Sequence, residues 1–108
     1  MKLISLLFSL LLLSGCLSNP LLIRDSQGIA WYATPDWTPI PPSRWEYKYV
    51  ALDKLSESCG VSHLTGGCMF RLPEKCLMIL PEQNEVPLWH FTYVKEHEEK
   101  HCRGFSHH

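Results

Sequence analysis

Three absences narrow this 108-residue chain before any motif is read. It lacks a charge excess, since 10 lysines and arginines stand against 11 aspartates and glutamates. With no basic face to offer, nucleic acid is excluded as an expected partner. It lacks an apolar run of the ~20 residues needed to span hydrocarbon. The N-terminal residues 1–13, one lysine followed by a mostly apolar stretch, are too short for a permanent span and read instead as a secretory signal. It also lacks a C-x-x-C pair among its 5 cysteines, which makes a cysteine zinc cluster the weaker reading of them. No internal repeat or low-complexity tract is present.

What is there begins with Leu13-Ser14-Gly15-Cys16, small residues leading into a cysteine at the end of the apolar run. This resembles the lipobox of bacterial lipoproteins. The resemblance implies cleavage after Gly15, lipid on Cys16 and a cell-envelope location. Leu17 rather than Asp at the next position implies the outer membrane, facing the periplasm, if the host is Gram-negative. The expected organisation is a lipoprotein signal peptide over 1–15, a lipidated proline-rich tether over 16–43 and a folded domain over 44–108.

The tether reading rests on Pro20, Pro35, Pro39, Pro41 and Pro42, strong breakers of regular structure. Trp31, Trp37 and Trp45 sit in or beside it, too many large rings for a fully solvated linker, so part of it is expected to pack back on the domain. A domain this small builds a marginal apolar core, and covalent or metal staples are expected. With Cys16 committed to lipid, Cys59, Cys68, Cys76 and Cys102 form an even set in an oxidising compartment. Two disulfides follow. Of three possible connectivities, Cys59 with Cys68 and Cys76 with Cys102 is favoured.

The aromatic and branched stretch Trp45-Glu46-Tyr47-Lys48-Tyr49-Val50-Ala51-Leu52 predicts a half-buried strand. Asp53 offers an N-cap for a short helical turn closed at Gly60. Two apolar runs, 68–72 and 76–80, joined by Pro73-Glu74-Lys75, predict a hairpin. A helix is expected from about Glu85 to Arg103, with Asn84 as N-cap and Gly104 as its left-handed terminator. The expected fold is therefore α+β: a small antiparallel sheet of about three strands with one long C-terminal helix, stapled by disulfides.

The tail carries the chemistry. His97 and His101 are four residues apart, so on a helix their imidazoles share one face and can share one metal ion. Glu98 falls beside such an ion rather than on it, where it can accept a proton from a water that the metal acidifies. Gly104 permits a sharp turn that returns His107 as a third ligand, leaving the fourth position open as catalytic zinc requires. The spacing His97-Glu98-x-x-His101-x-x-Gly104-x-x-His107 resembles the ligand motif of the metzincin zinc metalloproteases. The resemblance covers residues 97–107 alone. It implies zinc ligation by His97, His101 and His107, general acid/base work by Glu98, and peptide or protein as substrate. Metzincins add a methionine turn after the third histidine. Met1, Met69 and Met78 all precede it here, and the expectation is a minimal zincin-like fold with a zinc-binding helix. Zincins also present an edge strand along the cleft, for which residues 77–80 are the expected segment.

His90 and His63 read as core or surface histidines, and Lys95, Glu96, Glu99 and Lys100 as the solvated face of the helix. The expected function is a membrane-anchored zinc metallopeptidase or related amide hydrolase. Its rivals are a zinc-binding lipoprotein without catalysis and a structural lipoprotein of an envelope or phage-type apparatus. In the latter, zinc would be closed by a fourth ligand such as His90 or Cys102.

Overall fold

The structure, a computed structural model, describes residues 22–107. The expected signal peptide, the lipobox cysteine Cys16 and the first residues of the expected tether lie outside the described residues. Among the described residues there are two three-stranded sheets, two α-helices and two disulfides. Two units are distinguished: residues 22–33 with His107, and Thr34–Ser106. Among the described residues no helix is long and apolar enough to cross a membrane.

In the first unit, β1 (Leu22–Arg24) pairs antiparallel with β2 (Ala30–Ala33). Asp25 builds the turn between them: its Oδ1 accepts from the backbone N–H of Gln27 and of Ile29, each at 2.9 Å. Gly28 takes the positive φ of 79° that the reversal demands. The second carboxylate oxygen accepts from Nε1 of Trp31, a fully buried ring. Two strands thus occur within the proline-rich stretch read from the sequence as tether.

The second unit is organised around β5 (Cys76–Pro81), which lies between β3 (Trp45–Val50) and β4 (Cys68–Arg71). The β4–β5 hairpin is antiparallel, as the two apolar runs predict. The β3–β5 pair is parallel, which corrects the expectation of a purely antiparallel sheet. A parallel pair needs a long crossover. The chain between residues 50 and 76 supplies it, passing through α1 (Leu55–Cys59) and β4 before returning.

The central place of β5 also corrects the expectation that residues 77–80 form an edge. Leu77 and Ile79 face a cluster with Leu55, Cys59, Val50 and Val61, whereas Cys76 and Met78 face Cys102, Ile40, Trp45 and Tyr47. A strand buried on both faces reads as an unbroken apolar run, and such a run belongs inside a sheet. Its backbone edges are already paired, so strand addition by a peptide at this segment is excluded.

The long helix, α2, spans Leu88–Cys102. It starts later than the sequence suggests because Pro87 holds Val86 in the extended region (φ −134°, ψ 157°), leaving Gln83–Glu85 as an isolated 3-10 turn. Asn84 lies within that turn and is not the cap. Gly104 terminates the helix at φ 94°, and β6 (Phe105–Ser106) follows. The disulfides join Cys59 to Cys68 and Cys76 to Cys102, the connectivity favoured from the sequence.

Candidate metal centre

Helix α2 sorts its residues by period. Phe91, Val94, Glu98 and Cys102 form its buried row, spaced three or four apart. His97 and His101 occupy the neighbouring row, with ring centroids 5.2 Å apart and planes at 72°. Tyr93, one turn earlier, lies 5.9 Å from the His97 ring. The spacing of four thus does what the sequence reading asked of it, bringing two imidazoles side by side on one turn.

The end of the helix is fixed by covalent and backbone links. The Cys76–Cys102 disulfide ties its last residue to β5, and the backbone N–H of Ile40 donates to the Cys102 carbonyl at 2.9 Å. At Gly104 the N–H donates to the His101 carbonyl at 3.0 Å, and its carbonyl accepts from Thr34 at 2.8 Å. A Cβ on Gly104 would stand 2.9 Å from the Trp37 carbonyl oxygen, so the position excludes a side chain by space as well as by φ. The reversal brings the Phe105 carbonyl to 3.0 Å from His101 Nδ1. A carbonyl only accepts, so Nδ1 carries the proton, and in the neutral imidazole Nε2 is the nitrogen with the free lone pair.

His107 follows directly on Ser106, and its ring stands edge-on to Trp31 with centroids 4.9 Å apart. His97, His101 and His107 each offer one ring nitrogen, and these nitrogens all lie within 4.8 Å of one another, so the cluster could hold a metal ion. Three imidazoles without a thiolate are a borderline-soft donor set suited to zinc.

Glu98 is 6 % exposed, and burial pushes its carboxyl from the ordinary 4.5 up to about 7. Cys102 is consumed by its disulfide and His90 packs edge-on to Trp89, 5.5 Å between centroids. Neither belongs to the cluster. Glu99, read from the sequence as a solvated residue, instead accepts a short hydrogen bond from the Tyr47 hydroxyl on β3. Lys95 sits 5.4 Å from the centroid of the same ring. Burial raises the Tyr47 pKa, and the hydrogen bond and charge of Glu99 raise it further. Helical spacing alone shows no trace of it, since Tyr47 and Glu99 are 52 residues apart. No family model, curated protein or solved structure matches this chain.

Proposed function

We propose that this chain is a zinc-dependent metallopeptidase, or a related amide hydrolase, of the bacterial cell envelope, held at the membrane through lipidated Cys16. The observation that carries the reading is the convergence of His97, His101 and His107 nitrogens within 4.8 Å. The donor set fits zinc. His101 enters with its Nδ1 proton engaged by the Phe105 carbonyl, the outer-shell arrangement that orients a metal-binding imidazole. Three ligands leave a position for substrate, and α2 in this reading is the zinc-binding helix of a minimal zincin-like site.

Bound zinc would supply Lewis acidity to the scissile carbonyl. The remaining steps belong to the chain. Glu98 accepts a proton from the attacking water, whose oxygen bonds to the carbonyl carbon, and delivers that proton to the departing amine as the C–N bond breaks. In the metal-free protein burial raises this carboxyl above the ordinary carboxylate range, the direction that a group taking up and then releasing a proton requires. The site faces the periplasm if the host is Gram-negative, and its substrate is an envelope peptide or protein.

One observation favours a second reading, a zinc-binding or structural lipoprotein without catalysis: Glu98 lies on the buried row of the helix. Peptide hydrolysis by the zinc-loaded protein, compared with Glu98→Gln, separates the two. Loss of hydrolysis with zinc retained supports the peptidase. Zinc-loaded protein that cleaves nothing in a broad peptide library assigns the inert role.

A further inference from the structure

We infer that Arg71, acting with Trp37, is a positioning residue that sets His101 for metal binding; this rests on the metal-site reading above. The argument begins with register. Arg71 is the last residue of β4 and lies opposite Cys76 of β5, and Cys76 is bonded to Cys102 at the end of α2. The hairpin and the disulfide together therefore deliver this guanidinium to the C-terminus of the histidine-bearing helix.

What it meets there is specific. Nη1 donates to the His101 carbonyl at 2.9 Å and reaches the Cys102 carbonyl at 3.4 Å. Nη2 donates a short hydrogen bond to the Thr38 carbonyl. The last carbonyls of a helix lack intrahelical partners and carry the negative end of its dipole, so a planar cation with several donors suits them better than a point charge. The guanidinium also lies 5.3 Å from the centroid of the Trp37 ring, which in turn stands edge-on to His101 with centroids 5.9 Å apart. Arg71 thus fixes His101 twice, by its carbonyl and, through Trp37, by its ring. The Phe105 carbonyl at Nδ1 completes the enclosure.

A residue that only stabilised the fold would lower the melting temperature and leave the metal site unchanged at temperatures where the protein is folded. A positioning residue changes the site itself, since outer-shell partners typically alter metal affinity 10- to 100-fold. Cobalt(II) is the probe, because its visible absorption reports ligand geometry as well as occupancy. The disulfide-bonded protein, Arg71→Met, Arg71→Lys and Trp37→Leu would each be titrated with cobalt, with far-UV circular dichroism recorded alongside. The expected result is cobalt binding weakened at least 10-fold in Arg71→Met with altered visible bands, a partial recovery in Arg71→Lys, and a smaller weakening in Trp37→Leu. If Arg71→Met does not fold, Arg71→Lys and Trp37→Leu decide. Variants that fold and bind cobalt with the unmodified affinity and spectrum overturn the positioning role alone. Failure of the unmodified protein to bind cobalt overturns the metal site, and this inference falls with it.

Discussion

The two ends of α2 are built differently. At its start the cap is Pro87, which makes no side-chain cap hydrogen bond, and Leu88 and Trp89 are each 66 % exposed. At its end Cys102 is fully buried and disulfide-bonded, and Gly104 is wedged against the Trp37 carbonyl. The histidine pair sits on the last two turns. Covalent and steric constraint is concentrated beside the candidate donors His97 and His101, which suits a site that would have to hold its donors within a fraction of an ångström.

Breaking the fixed end should cost most. Replacing Cys76 and Cys102 together with Ser opens a cross-link of sequence separation 26, for which chain entropy gives a loss of about 3.5 kcal/mol. Urea denaturation should show it, together with loss of zinc binding. Gly104→Ala comes next: a side chain at φ 94° and 2.9 Å from a backbone oxygen should destabilise by roughly 2–3 kcal/mol and weaken zinc binding. A variant as stable as the parent would show that the turn adapts.

Glu98→Gln sharpens the comparison in the opposite direction, by stabilising. The folded carboxyl titrates near 7 rather than 4.5, so between those values the folded protein binds the proton that the unfolded chain releases. In metal-free protein, stability present below about pH 4.5 is therefore lost as pH rises to about 7, and the loss is complete above it. Glu98→Gln escapes that loss, with an expected gain on the order of 3 kcal/mol at pH 8 and none at pH 4. The two proteins differ only at this side chain, so the difference between their melting curves reports the carboxyl. At the open end, Trp89→Ala should change stability by less than about 0.5 kcal/mol and leave zinc binding intact. A larger loss would mean that the start of the helix is held by more than its own backbone.

The strand over residues 45–50, the hairpin, the helix and the presence of two disulfides were legible because each follows from a local rule: alternation, turn residues, capping glycine and cysteine parity; parity left three connectivities open, and the favoured one is the one observed. The parallel β3–β5 pair was not, because direction depends on where a chain returns and not on its composition. The interior place of β5 had a signal that was misread. Cys76-Leu77-Met78-Ile79-Leu80 contains no polar residue, which is the pattern of a strand covered on both faces. In the site, the pairing of His97 with His101 followed from helical spacing. Arg71 and the Tyr47–Glu99 bond depend on contacts across 30 and 52 residues, to which no local pattern points.

The most direct test of the central claim is the zinc content of the purified, disulfide-bonded protein and of its His97→Ala, His101→Ala and His107→Ala variants. One zinc per chain in the parent, with occupancy reduced in all three variants, is the result this account predicts. A parent without zinc, or variants that all bind it as the parent does, would contradict it.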